Sequence, residues 1–308
     1  MDSLNLEWRT KLLNLTKTAW RDANVTGPKV DNWLKNFDGQ SSPADVERHH
    51  ALHLLQQLMY FGHEEIKETL RAALRDNVLS PLLHERMESH SGPDDFQLSG
   101  DHELLRDVRF LGVGQPSESG QGLLYEFRTV NDISLTLFPR ISALLDSSNI
   151  AHRKVTHIIY FDDFCATGQQ VKMRLESEVA SLRHQFKDNN IRIWYLLLFA
   201  TSRGLRNTAA HQLFDEVKCV ICFDDDYGAF CPDSFCYQDA PDTISQATAK
   251  DIMQTYGKTL KPACPLGYED CQLLISFHHN TPDNTLPALW YNDNPTRWQA
   301  IFPRADKH

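Results

Sequence analysis

The chain is short of positive charge. Lys and Arg total 31 against 41 Asp and Glu, a formal net charge of −10 over 308 residues. That balance excludes nonspecific binding to a nucleic-acid backbone, which rests on cations releasing counterions. A small anion stays bindable, because backbone N–H groups at helix starts hold phosphate without formal charge. Long apolar runs are missing too. No stretch reaches the roughly 20 residues that a bilayer-crossing helix needs, so no membrane association is expected. The opening MDSLNLEWRTK lacks the charged-then-apolar layout of a secretory signal. Internal repeats and low-complexity tracts are absent. The seven cysteines are odd in number and lie mostly in apolar stretches, which points to a reducing, cytoplasmic compartment.

What is present divides in two. Up to about Ser89, apolar positions recur three and four apart, as on helices: Trp8, Leu12, Leu15 and Ala19, then Val30, Trp33, Leu34 and Phe37. Ser42-Pro43-Ala44-Asp45 reads as a helix start with Ser42 at the cap, and Ala51, Leu54, Leu55 and Leu58 form the face behind it. Ile66, Leu70 and Leu74 continue the pattern after Gly62, and His49 and His50 are expected at the surface or boundary. Residues 88–101 are polar and turn-rich. They mark the expected boundary between an N-terminal α-helical region, residues 1–100, and an α/β domain, residues 101–308.

In the second part strands are expected at 108–113, 155–161, 191–200, 217–223 and 272–277, with helices at 141–145, 170–186 and 208–214. Strands apolar on both faces, alternating with helices, make a mostly parallel sheet flanked by helices. Ligands of such sheets bind beyond the strand C-terminal ends.

At one such end the chain reads IIYFDDFCATGQQV, residues 158–171. Two adjacent carboxylates repel each other unless a ligand uses both. Ala166, Thr167, Gly168, Gln169 and Gln170 form the turn into the next helix, where unpaired N–H groups and the dipole favour a phosphate. Gly168 allows positive φ or a close approach of the ligand. Asp162 and Asp163 then face the same ligand and accept from two neighbouring hydroxyls, which a ribose 5-phosphate supplies.

The stretch DDFCATGQQ resembles the phosphoribosyl-pyrophosphate (PRPP) motif of type I phosphoribosyltransferases, acid–acid–three residues–Thr–Gly–any–Thr. Asp162, Asp163, Thr167 and Gly168 match in identity and spacing, and Gln170 stands where the family has Thr or Ser. A narrower resemblance takes in residues 116–131 (PSESGQGLLYEFRTVN), residues 265–292 and the N-terminal helices. These pieces are similar to the phosphoribosyltransferase-like effectors of bacterial conflict systems, some of which occur beside retron reverse transcriptases as anti-phage effectors. The resemblance implies a type I phosphoribosyltransferase fold and a toxic or growth-arresting enzyme acting at the anomeric carbon of PRPP, as a glycosyltransferase or an N-glycosidic hydrolase. It also implies Mg²⁺ brought by the substrate, with Asp162 and Asp163 as the candidate protein contacts and no metal site made by the protein alone. The partner would be a retron reverse transcriptase with its noncoding RNA and DNA, or another defence subunit. The alternative is a catalytically silent ribose-phosphate sensor or structural subunit of such a complex.

Two further loops carry candidate chemistry. In residues 114–122, Ser117, Ser119 and the amide of Gly120 are placed to hold pyrophosphate oxygens, with Arg128 adding charge; the other reading is a solvated turn. The loop has no Lys or Arg, so pyrophosphate there needs Mg²⁺. After the last strand, His279, Asn280 and Asn284 either position a nucleophile or leaving group or build a turn. Adjacent strand residues point to opposite faces, so one histidine of His278-His279 is expected in any site. Cys219 and Cys222 sit three apart on a strand and are expected to pack on opposite sides as buried thiols, not to bind zinc. No residue stands out as a general base.

Overall fold

Helices and strands follow the apolar spacing for most of the chain. The computed structural model describes residues 3–89, 101–114, 119–146, 154–188, 190–292 and 298–304. In chain order its elements begin with helices α1 (Ser3–Thr18), α2 (Gly27–Leu34) and α3 (Ala44–Gln56), strand β1 (Met59–Phe61) and helix α4 (His63–Leu74). Helices α5 (Ser80–Ser89) and α6 (Asp101–Leu104), β2 (Val108–Gly112), α7 (Ser119–Val130) and α8 (Ile141–Leu144) follow. Then come β3 (His157–Cys165), α9 (Gln169–Gln185), β4 (Arg192–Thr201), α10 (Ser202–Ala210) and β5 (Glu216–Phe223). The last are α11 (Gln246–Leu260), β6 (Ile275–Phe277) and α12 (Pro287–Trp290). Among the described residues no helix is long and apolar enough to cross a membrane.

The chain forms two compact units: Met1–Glu65 with Asp224–His308, and Ile66–Phe223. The position near residue 100 expected as a boundary lies inside the second. In the first unit β1 pairs in parallel with β6, Met59 opposite Ile275 and Phe61 opposite Phe277. Apolar spacing suggests only helices before residue 89 and gives no sign of β1. It also groups residues 272–277 with the other strands, whereas β6 is three residues long and belongs to this separate pair. Leu12, Trp33, Phe37, Leu54 and Ile301 are fully buried in the core of this unit. The Trp33 indole donates to the Ala288 carbonyl at 2.8 Å. His50, expected near the surface, is buried, and its Nε2 accepts from the Ser245 amide at 3.2 Å.

The start of α3 also departs from expectation. Pro43, not Ser42, is the N-cap and makes no side-chain cap bond. The carboxylate of Glu47, in the first turn, reaches back instead and accepts from the amides of Gly39 (2.8 Å), Ser41 (2.7 Å) and Ser42 (3.1 Å). Tyr256 on α11 donates to the same carboxylate at 2.5 Å. Proline has no side-chain acceptor, so the orphan donors ahead of the helix turn to the nearest buried acid.

The second unit is the parallel sheet, in the order β2-β3-β4-β5, with each described pair in continuous register. Val171, Leu175, Val179 and Leu182 of α9 pack on Ile158, Tyr160, Ile193 and Tyr195. On the opposite face Phe127 of α7 stacks on Phe161 at 4.9 Å and meets Phe110 edge-on at 5.3 Å. Covering both faces is what the doubly apolar strands demand. At the strand N-terminal ends, Arg192 bonds Glu85 and Glu216, and His157 pairs with Glu85 at 3.1 Å. The C-terminal ends carry the aspartate pair and its glycine turn.

Edge strand β5 is half-buried along most of its length. Cys219 lies half-buried and Cys222 exposed, so the expected pair of buried thiols does not hold. The two thiols are also hydrogen-bond neighbours; burial and then Cys222 push Cys219 up to about 12. An edge strand is covered on one side only, which is why apolar composition misleads here.

Candidate functional site

Strand β3 continues past the two aspartates as far as Cys165, in register with β4: Asp162 lies opposite Leu197 and Cys165 opposite Ala200. The acids therefore belong to the last turns of a paired strand and do not hang beyond it. Tyr195 on β4 donates its hydroxyl to Asp162 Oδ2 at 2.7 Å, and the Asp163 amide donates to Asp162 Oδ1 at 3.0 Å. Asp163 Oδ1 accepts from the Phe164 amide at 2.8 Å. The two carboxyl groups are also within hydrogen-bonding reach of each other. Burial, then the charge of Asp163, pushes Asp162 well above the usual carboxylate range, and the Tyr195 hydroxyl opposes them. The same surroundings raise Tyr195, by burial first and the Asp162 charge second. Two acids that repel each other in a half-buried place are poised for a partner that neutralises them.

The turn that follows is held from one side. Its three carbonyls, of Ala166, Thr167 and Gly168, accept from Thr201 Oγ1 (2.5 Å), Asn207 Nδ2 (2.8 Å) and His211 Nε2 (3.0 Å). A carbonyl only accepts, so His211 carries its proton on Nε2. Peptide planarity turns the N–H of each following residue the opposite way. The amides of Thr167 and Gln169 are thus directed opposite to the carbonyls of Ala166 and Gly168. That of Gly168 meets the Cys165 thiol, whose pKa burial raises. Cys165 is thereby a buried thiol of low reactivity, consistent with its acidic neighbours.

Helix α9 then starts with no side-chain cap bond. Its first amides are left without a side-chain acceptor, and Gln169 and Gln170 stand exposed beside them. Gly168 has φ 72. A Cβ there would lie 2.9 Å from both the Gly204 carbonyl and Thr208 Oγ1. Gly168→Ala is therefore expected to cost about 2 kcal/mol from the left-handed backbone and the crowding together. Gln170→Ala should stay within about 0.5 kcal/mol of wild type, and chemical denaturation measures both.

Tyr195, Thr201, Asn207 and His211 are not anticipated by the sequence reading. One signal is available: Thr201-Ser202-Arg203-Gly204 follows an apolar strand, and Thr201 caps α10 by accepting from the Gly204 amide at 2.9 Å. The helix expected at 208–214 accordingly begins six residues earlier, at Ser202.

The first loop is shorter than expected. Gly114 has φ 95, and α7 is under way by Ser119, so Ser119 and Gly120 occupy its first turn. Ser117 lies outside the described residues. Arg128 is in the last turn of α7, about 13 Å along the axis from Ser119. Its guanidinium lies over the Tyr125 ring at 5.3 Å, so helix geometry does not bring it to the loop.

His279, Asn280 and Asn284 belong to the other compact unit. Strand β6 stops at Phe277 and the chain bends, so alternation of faces no longer applies. The rings of His278 and His279 accordingly come to 5.0 Å of each other, and His279 stacks on Phe277 at 5.5 Å. Asn280 Oδ1 accepts from the Thr281 amide at 2.9 Å. Asn284 is buried and donates to the Tyr268 carbonyl (3.2 Å) and the Cys271 thiol (3.3 Å). Its amide braces a loop, which favours the structural of its two readings.

Comparison with curated proteins found no match. Among solved structures, the AQ2163 protein from Aquifex aeolicus is similar at 12% identity over 65% of this chain and 86% of that one, with a TM-score of 0.29. So low a score carries no argument. Residues 30–304 match the family model PRTase-CE. That span holds the aspartate pair, its turn and both compact units' sheets, and the chain thus belongs to the PRTase-CE family, as a phosphoribosyltransferase-like protein.

Proposed function

We propose that the protein binds a 5-phosphorylated ribose donor of the PRPP class and promotes displacement at its anomeric carbon. The observation that carries this reading is the β3 end, where Asp162 and Asp163 adjoin just before a turn whose carbonyls are all engaged by Thr201, Asn207 and His211. The carboxylates accept from the ribose 2- and 3-hydroxyls. The amides of Thr167 and Gln169, with the uncapped start of α9, hold the 5-phosphate. Departure of pyrophosphate leaves oxocarbenium-like charge, so positioning and electrostatics do most of the work. The residues present fit Mg²⁺: two mutually repelling carboxylates are the oxygen donors a hard cation relieves. With the donor bound, Mg²⁺ spreads pyrophosphate charge that the described part of the first loop offers no Lys or Arg to meet.

In the cell, this reading makes the protein a cytoplasmic anti-phage effector whose activity arrests growth. Its N-terminal helices would dock a retron reverse transcriptase with its RNA and DNA, or another defence subunit. Family membership supports that part. Titrating the purified chain with PRPP by calorimetry, with and without Mg²⁺, tests the core of the reading. Saturable, Mg²⁺-dependent binding is expected, and pyrophosphate release should follow once cell extract supplies the acceptor. No binding in either condition would sink it.

Two observations favour a second reading, a sensor without turnover. Gln170 stands in place of the family's Thr or Ser, and Arg128 lies far along α7 from the loop it would charge. Binding without pyrophosphate release under every condition assigns that role.

A further inference from the structure

We propose that His63 and His278 form a binding site for a divalent transition-metal ion of the zinc class. The inference rests on the first compact unit alone and is independent of the ribose-phosphate reading. Parallel pairing of β1 with β6 creates the juxtaposition: Phe61 lies opposite Phe277, and the His278 amide extends the ladder by donating to the Phe61 carbonyl at 2.9 Å. His63 follows β1 by two residues and opens α4, while its own amide is pinned to Asp22 Oδ2 at 2.7 Å. Both backbones are anchored, and the two rings meet with centroids 5.0 Å apart.

The ring nitrogens that face each other, His63 Nδ1 and His278 Nε2, are 3.5 Å apart. That is longer than the span of about 2.7–3.2 Å for a well-formed N–H hydrogen bond. Two imidazole nitrogens on one tetrahedral ion, each bonded at about 2.0–2.1 Å, stand about 3.3–3.4 Å apart. The separation therefore suits an ion between the rings better than a direct bond. His63 is exposed and His278 half-exposed, which leaves room for water on the remaining positions.

The charge around the pair fits a cation. Asp22 accepts from the His63 amide, and Glu64 and Glu65 follow in the first turn of α4. A Cβ at Gly62 would stand 2.8 Å from Asp22 Oδ1 and 2.7 Å from Glu65 Oε2, so both carboxylates lie directly against the backbone next to His63. The positive end of α4 disfavours a cation, and the Asp22 and Glu65 carboxylates oppose that effect. Imidazole donors select zinc, cobalt, nickel or copper over magnesium or calcium.

The test is a cobalt(II) titration of the metal-free full chain, read by visible absorption and by equilibrium dialysis. One equivalent is expected to bind. His63→Ala and His278→Ala should each weaken binding at least about tenfold, as loss of even an outer-shell partner does. His84→Ala, an exposed histidine paired with Glu88, should change nothing. Equal affinity in the His63→Ala/His278→Ala double variant, or no saturable cobalt binding, overturns the proposal. A second measurement needs no variant: diethyl pyrocarbonate labelling, mapped by mass spectrometry, should fall at His63 and His278 when zinc saturates the protein. Unchanged labelling of both also overturns it.

Discussion

Asp162→Asn/Asp163→Asn is expected to weaken donor binding by about a hundredfold to ten-thousandfold and to leave the protein folded. In the proposed complex each carboxylate accepts a charge-assisted hydrogen bond from a ribose hydroxyl, and such bonds contribute about 1.5–3 kcal/mol. Two of them at about 1.4 kcal/mol per tenfold give that range. The same change should raise the melting temperature of the unliganded protein at neutral pH. Asp162 titrates above its ordinary value in the folded state because burial and Asp163 disfavour its charge. A group whose folded pKa is raised loses stability as pH climbs from the unfolded value toward the folded one. Asn carries no charge, so the loss disappears. Calorimetric titration and thermal melting of the same sample separate the two effects. Retained affinity would end the paired-acid reading, and a lower melting temperature would mean that the acids serve the fold.

The second large effect concerns the fold. Glu47→Ala should destabilise the protein by about 3 kcal/mol or more. Its carboxylate is fully buried and accepts from three amides and the Tyr256 hydroxyl. Removing it strands the Ser41 and Ser42 amides, while the Tyr256 hydroxyl keeps Asp38 Oδ1 at 3.0 Å and the Gly39 amide keeps the Tyr256 oxygen at 3.3 Å; each buried unsatisfied group costs about 1–3 kcal/mol before water relieves it. The pH dependence follows with the opposite sign from Asp162. Burial opposes the Glu47 charge, but Tyr256 and the amides of Ser41, Ser42 and Gly39 hold its pKa below the ordinary 4.5. That contribution is complete above about pH 4.5 and is lost as pH falls through the lower folded value. Urea midpoints measured from pH 6 down to 3 should converge for wild type and Glu47→Ala. Parallel curves would show that the carboxylate does not carry the difference.

Both effects show how sequence and structure divide the information. The aspartate pair and its turn lie within nine consecutive residues, DDFCATGQQ, so their chemistry is legible in the chain itself. The parallel sheet is legible for a related reason: strands apolar on both faces have one economical arrangement. Glu47 is not legible. As a single acid in the first turn of a helix it looks like an ordinary dipole partner, and nothing in its neighbours foretells Tyr256. The donors Tyr195, Thr201, Asn207 and His211 escape notice similarly, because each reaches the site from another element. Arg128 lies nine residues into α7 from Ser119, on a helix that the apolar spacing does not mark out.

The amino-acid order alone determined the alternation of apolar strands with helices, the acid pair with its glycine turn, and the poverty of positive charge. These are local or compositional properties, expressed within one strand, one turn or the whole count. Only tertiary structure decided that residues 1–65 share a unit with residues 224–308. It also brought His63 to His278, 215 positions apart, and decided which side of the turn is held. Contacts between distant segments are selected by the shape and burial of whole surfaces, and they leave no period or spacing in the chain to be read.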